Sequence, residues 1–288
     1  MTEKTRTVLV TGASAGIGRA CADRLQAAGW TVTGASRRGT SSGGWSGLVM
    51  DVDHDESVRS GVASVLASAG RIDAVVTAAG WGLAGAAECS SVQEAKAQLE
   101  TNFWGCVRVV QQVLPAMREQ QAGRIVLVSS IGGVIGIPFQ AFYSASKFAL
   151  EGFGEALAYE VAPFGVHVTL VQPGNVLTDF TASRRMAAAA EGDVVYAAAA
   201  RNAIGRMERD ERTGCPRRTS RRWSCACSAR PGRRGGSRSA RRPSGPGCSP
   251  SACSRSAPSR RRRRAASASD PSPRRPARAG QARRAGYG

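Results

Sequence analysis

Tyr143 and Lys147 stand four residues apart in the stretch "FYSASKFAL". In a helix that spacing projects both side chains from one face. An ammonium near a phenol favours the phenolate and draws the phenol's pKa down from about 10 toward working pH, as general acid/base chemistry requires. Tyr with Lys four residues later recurs by chance in helices. Ser130, ending an apolar run thirteen residues earlier, makes the set more specific. A second constellation is "TGASAGIG", residues 11–18, where Gly12, Gly16 and Gly18 are spaced to let a backbone turn lie against a pyrophosphate. The helix opening there would add free N–H donors and a positive dipole end.

These residues need a scaffold that brings distant segments together, and the chain is patterned for one. "TVLVT", "WTVTGA", "GLVMDV", "DAVVTAA", "RIVLVSS" and "VHVTLVQP" read as six strands. Helical segments alternate with them: residues 17–29, 55–70, 92–121 and 144–165. This order predicts an α/β fold, a doubly wound parallel sheet of the Rossmann type with helices on both faces. No seventh strand is visible after Pro173. Gly29, Gly70, Gly123 and Gly165 stand where helices should stop. Residues 180–208 form an Ala-rich helical stretch that reads equally as a surface helix pair or as a flap over a pocket.

At this point the chain resembles the short-chain dehydrogenase/reductase family, whose pattern is a Gly-rich turn, an Asn, a Ser and Tyr-x-x-x-Lys. The match runs from about Thr7 to Phe180. The stretch from Phe142 to Phe180 is most similar to the hydroxysteroid and retinol dehydrogenase branch. The resemblance implies that Tyr143 moves the proton, Ser130 bonds the substrate oxygen, Lys147 holds the nicotinamide ribose, and Asn102 holds a water in a proton relay. It implies a cofactor site built from Gly12, Ser14, Gly16, Ile17 and Gly18, from Asp51 and Val52 at the adenine, from Ala79 and Gly80, from Tyr143 and Lys147, and from Val176 and Thr178 toward the nicotinamide. One departure is "TAAG", with Thr77 and Ala78 where the family carries two Asn that brace the sheet. A second is "GASRR": no acidic residue ends the second strand, and Ser36, Arg37 and Arg38 suit a 2′-phosphate. The expected cofactor is therefore NADP, with NAD as the alternative. The expected reaction carries hydride between the nicotinamide and a hydrophobic alcohol or ketone. The rival reading is a non-catalytic dinucleotide-binding module with a basic interaction arm.

Charge divides the chain. Of its 40 Lys and Arg and 21 Asp and Glu, 17 and 18 lie at or before Glu208. The expected organisation is an oxidoreductase domain over residues 1–208 and an Arg/Ser/Pro-rich tail over residues 209–288. All the tail's basic residues are Arg, and it has no Leu, Ile, Val or Phe. Such a composition buries too little apolar surface to offset chain entropy, so the tail is expected to be disordered. It reads as the product of a shifted frame in a GC-rich gene, as a phosphate-binding arm using "RRRRR" at residues 260–264, or as a Cys-bearing metal module. Small-molecule substrates are the expected partners and a homo-oligomer is compatible; nucleic acid is disfavoured. No metal ligand set stands out. Cys21, Cys89 and Cys106 are expected as buried thiols. With no leader-like start and no apolar run of membrane length, a cytoplasmic location is expected.

Overall fold

The computed structural model describes residues 5–190 and 192–216, the last two by backbone alone. The elements in chain order are β1 (Thr7–Thr11), α1 (Gly16–Ala27), β2 (Thr31–Ser36), β3 (Ser46–Val49), α2 (Asp55–Ala69), β4 (Ala74–Thr77) and β5 (Leu83–Ala84). There follow α3 (Val92–Leu99), α4 (Gly105–Glu119), β6 (Gly123–Val128), α5 (Ala141–Val161) and β7 (Val166–Val171). Last come β8 (Val176–Leu177), β9 (Arg185–Met186), α6 (Ala197–Arg212) and β10 (Cys215–Pro216).

Six strands form one parallel sheet in the order β3-β2-β1-β4-β6-β7, with Val8 opposite Val32 on one side and Ala74 on the other. These are the six strands expected, and the architecture is the doubly wound Rossmann type. Successive residues of a strand point to opposite faces, so the central strands β1, β4 and β6, covered on both faces, are largely apolar. Val8 and Val10 of β1 enter a core with Trp30, Trp45 and the α1 residues Ala22 and Leu25. Leu9, between them, enters the opposite core with Val58 and Val62 of α2, Val109 and Val113 of α4, and Leu150 of α5. Both faces are thus covered, and truncating the fully buried Leu9 to Ala would cost about 2–5 kcal/mol.

Several local expectations are corrected. The helical run 92–121 is two α-helices joined through a π-helical turn, Glu100–Trp104, which carries Asn102. α3 starts on a capping box in which the Ser91 hydroxyl accepts the Glu94 N–H and the Glu94 carboxylate accepts the Ser91 N–H. Gly123 does not stop α4: Gln121 takes the left-handed turn at φ 52°, and Gly123 begins β6, where a Cβ would meet Met117 Sδ at 2.6 Å. Cys106 is buried as expected, but Cys21 and Cys89 are only half-buried. The boundary at 208/209 falls inside α6, which continues to Arg212, and β10 beyond it pairs with β8. The expectations for the rest of the tail, disorder and a shifted frame included, lie outside the described residues. Among the described residues, no helix is long and apolar enough to cross a membrane, and no three His, Cys, Asp or Glu side chains gather as metal ligands.

Candidate active site

The strand order reverses at β1, whose neighbours are β2 and β4, and in open parallel sheets a crevice opens at the carboxyl ends on either side of such a reversal. A cavity of about 490 Å³ lies there. Gly12, Ser14, Gly16 and Ile17 form one wall. Gly12 (φ 67°) and Gly16 (φ 55°) hold left-handed backbone, and a Cβ on Gly12 would sit 2.7 Å from the Ala78 carbonyl oxygen. Gly18 does not line the cavity. It lies behind the turn, where a Cβ would come within 2.4 Å of the Gly12 carbonyl oxygen, so it sets how closely α1 packs on its own loop. The N-cap of α1, Ala15, makes no side-chain cap, and the first turn has no acidic residue. Its N–H groups and dipole are left for an anion.

The departure at "TAAG" has a local remedy. The Thr11 hydroxyl accepts the N–H groups of Ala78 (3.1 Å) and Ala79 (3.3 Å), tying β1 to the loop after β4, and that loop presents Ala79 and Gly80 to the cavity.

At the far end of the cavity, Ser36, Arg37 and Arg38 leave β2 beside Asp51, Val52 and Asp53. The Ser36 hydroxyl is buried with no hydrogen-bond partner among the described residues. A buried hydroxyl is costly to leave unpaired, and two adjacent guanidinium groups supply the charge that a phosphate there would need. These residues fit a phosphorylated ribose. Asp53 was not expected from the sequence. Its carboxylate accepts the Thr101 hydroxyl at 2.9 Å, and Thr101 in turn accepts the indole N–H of Trp81 at 3.2 Å. Burial raises the Asp53 pKa against the lowering effect of that Thr101 bond.

Ser130, Tyr143 and Lys147 converge from the end of β6 and the first two turns of α5, and all three are buried. Tyr143 and Lys147 line the cavity; Ser130 does not, but it is close enough to the phenol to lower its pKa. The Ser130 oxygen also accepts the Gly132 N–H at 3.0 Å. Gly132 must be small: a Cβ there would meet Tyr143 Cε1 at 3.1 Å. Lys147 Nζ donates to the Val128 carbonyl at 2.9 Å and stands 6.0 Å from the centre of the Tyr143 ring. The expectation of a lowered phenol pKa is not met in this state. Burial pushes the Tyr143 pKa up, and Ser130 opposes it. Burial likewise pulls the Lys147 pKa down, with Cys106 and Glu151 opposing.

Asn102 does not line the cavity. Its side chain is fully buried: its oxygen accepts the Trp81 N–H at 3.0 Å, and its amide donates to the Trp81 carbonyl and to Ser146 of α5. It lies close behind Gly80, where a Cβ would be 3.0 Å from its oxygen and 3.9 Å from Lys147 Nζ.

The remaining wall comes from residues 176–186 and the end of α6. Val176 and Thr178 face the cavity as expected, and Phe180, Arg185 and Glu211 join them without having been expected. Phe180 stands 5.7 Å from Tyr143, ring centre to ring centre. β9 pairs with β5, and Arg184 bonds Glu211 at 2.7 Å, so the Ala-rich stretch is fastened across the cavity.

Residues 6–189 match the short chain dehydrogenase family. The chain is 44% identical over 209 residues to a 3-ketodihydrosphingosine reductase of Bacteroides thetaiotaomicron, covering 72% of this chain and 78% of that one. It is 38% identical to the mouse 17-beta-hydroxysteroid dehydrogenase type 1 (60% and 55% covered) and to the bovine retinol dehydrogenase 8 (62% and 62%). The matches thus span less than two thirds of those two relatives. Among solved structures, a short-chain dehydrogenase from Streptomyces avermitilis superposes with a TM-score of 0.67 at 33% identity, over 79% of this chain and 83% of that one. An NADP-bound structure of ElxO superposes at 0.58 with 27% identity, over 61% and 75%. With its Gly-rich turn, Tyr and Lys drawn to one cavity at the switch point of a parallel sheet, and Ser130 close to the Tyr, the chain belongs to the short-chain dehydrogenase/reductase family of nicotinamide-dependent oxidoreductases and resembles its hydroxysteroid and retinol dehydrogenase branch.

Proposed function

We propose that the protein is an NADP-dependent oxidoreductase that interconverts a ketone and an alcohol on a lipophilic small molecule. The observation that carries this reading is that Tyr143 and Lys147 line one cavity with the glycine cradle and with Ser36 and Arg37, with Ser130 close enough to lower the phenol's pKa. When bound, the nicotinamide supplies or accepts the hydride at the carbonyl carbon. Tyr143 gives its phenolic proton to the carbonyl oxygen in reduction and recovers one in oxidation. Ser130, whose oxygen already accepts the Gly132 N–H, keeps its own hydroxyl proton to donate to the same oxygen. Lys147 spends one of its three donors on Val128 and directs the others into the cavity, where the nicotinamide ribose would lie. Asn102 supports the relay by fixing the Trp81 loop and α5 in register.

Arg37 and Ser36 favour NADP, because a 2′-phosphate satisfies both a guanidinium and an otherwise unpaired hydroxyl. The lipophilic substrate rests on the Phe180 ring beside Tyr143, and on the names of the relatives, which refer to ketodihydrosphingosine, hydroxysteroids and retinol. The test is nicotinamide absorbance with NADPH and with NADH across a panel of long-chain and polycyclic ketones. Turnover with NADPH on at least one lipophilic ketone is expected. Failure of every ketone with both cofactors would refute the reading.

A further inference from the structure

Arg185 lines the cavity from the segment of residues 176–186, which comes close to the glycine turn at Thr178: a Cβ on Gly16 would lie 3.9 Å from Thr178 Cβ. The backbone of Arg185 is pinned. Its N–H donates to the Gly82 carbonyl at 2.8 Å, and β9 pairs with β5 at Arg185 and Leu83. Its guanidinium lies over Trp81, 4.5 Å from the ring centre. That ring is fixed in turn: Asn102 accepts the Trp81 N–H at 3.0 Å, Thr101 accepts the indole N–H at 3.2 Å, and Asp53 accepts the Thr101 hydroxyl at 2.9 Å. Attraction to a ring face uses the charge of a guanidinium and no hydrogen-bond acceptor, so its five N–H donors remain for other groups.

The neighbouring charges close among themselves. Arg184 meets Glu211 at 2.7 Å and Glu208 at 3.6 Å, and Glu208 is shared with Arg212 at 3.4 Å. Among the described residues, Arg185 pairs with no carboxylate, Asp179 of the same wall included, and its guanidinium donates no hydrogen bond. A guanidinium held in place with its donors unspent, in a cavity that also holds a phosphate cradle, is complementary to a phosphate. Resting on the reading of this cavity as a dinucleotide site, we propose that Arg185 binds a phosphate of the cofactor and thereby holds residues 176–186 against the dinucleotide. Arg37 and Arg38 reach the cofactor from the end of β2, whereas Arg185 reaches it from the segment that also sets Phe180 5.7 Å from Tyr143. One bond to the cofactor then steadies the wall against which the substrate rests.

Fluorescence titration of the full chain with NADPH and with NADH tests this without turnover. Arg185→Gln removes the charge, and its Kd for NADPH should weaken by about tenfold or more, the worth of a charge-assisted hydrogen bond. Arg185→Lys keeps the charge without the planar fork and should recover only part of the loss. An equal loss for NADH assigns the contact to the pyrophosphate, and a loss for NADPH alone assigns it to the 2′-phosphate. A second measurement needs no variant. The same bond must break for the wall to open, so in the parent saturating NADPH should slow tryptic cleavage after Arg185 by about tenfold relative to cleavage after Arg118. Arg118 is exposed at the end of α4 and lies outside the cavity. Kd values of Arg185→Gln within about twofold of the parent for both cofactors, or equal slowing of cleavage at the two arginines, overturn the Arg185 inference and leave the oxidoreductase reading standing. Failure of the parent to bind either cofactor overturns both.

Discussion

Gly16 and Gly29 offer a controlled test of the phosphate cradle. Both hold left-handed backbone, φ 55° and φ 81°. A Cβ on Gly29 would find nothing within 4 Å, and one on Gly16 would touch only Thr178 Cβ at 3.9 Å. The protein alone therefore resists both Ala substitutions for one reason, the left-handed conformation, at about 1–2 kcal/mol each. At about 2–4 °C per kcal/mol for a domain of this size, both melting temperatures should fall by about 2–8 °C. The two positions differ in what they face: Gly16 lines the cavity, at the open start of α1, and Gly29 does not. A methyl group on Gly16 holds a pyrophosphate away from the α1 N–H groups. Losing one charge-assisted bond of about 1.5–3 kcal/mol weakens the cofactor about ten- to hundredfold. Thermal melts and NADPH fluorescence titrations of the two variants read both quantities. If Gly16→Ala binds NADPH within twofold of the parent while melting like Gly29→Ala, the turn does not hold the pyrophosphate.

Tyr143→Phe should lower turnover by about 10²–10⁴-fold and leave NADPH affinity nearly unchanged, since only the proton carrier is removed; a variant keeping half the parent rate would refute its role. Arg37→Asp should weaken NADPH and improve NADH relative to it, by about tenfold or more in the ratio of Kd values; an unchanged ratio would show that Arg37 does not read the 2′-phosphate. In the unliganded protein, ultraviolet titration should show the Tyr143 phenol, identified by difference from Tyr143→Phe, ionising above the ordinary value of 10.0, because burial disfavours the phenolate. The folded state then holds its proton longer than the unfolded chain. Its contribution to stability is complete below pH about 10 and is lost as pH rises through the higher folded pKa. A phenolate at neutral pH without cofactor would contradict this.

The sheet was legible because its signal is local. The central strands β1, β4 and β6 are apolar runs flanked by turn residues, and burial on both faces keeps those runs continuous. The glycine turn and the Tyr143–Lys147 spacing were legible for the same reason, since each lies within a few residues. The rest depends on contacts between distant positions. Asp53 meets Thr101 across 48 residues, and Arg184 meets Glu211 across 27. No pattern of either segment alone announces the pairing. The π-helical turn carrying Asn102 has no compositional mark, because it differs from its neighbours only in which carbonyl each N–H reaches. β5, β8, β9 and β10 are two residues long, below any period that could be counted. The end of α6 was misplaced because Arg209, Asp210 and Arg212 look like the start of the polar tail, whereas they continue the helix that delivers Glu211.

The Tyr143–Lys147 pair shows where spacing stops being informative. Four residues in a helix do place the two side chains on one face, yet the effect of the ammonium on the phenol depends on its distance and on what else engages it. Here Nζ bonds the Val128 carbonyl, and the phenol stays protonated because burial outweighs the effect of Ser130. A protonated phenol with the Ser130 hydroxyl close by is prepared to serve as an acid. A carbonyl oxygen entering between Ser130 and Tyr143 would meet two donors and needs no prior ionisation. Oxidation of an alcohol needs the opposite form, which this environment disfavours. Under the proposed roles, the unliganded protein is therefore set for carbonyl reduction at neutral pH, and alcohol oxidation should gain rate as pH rises while reduction does not.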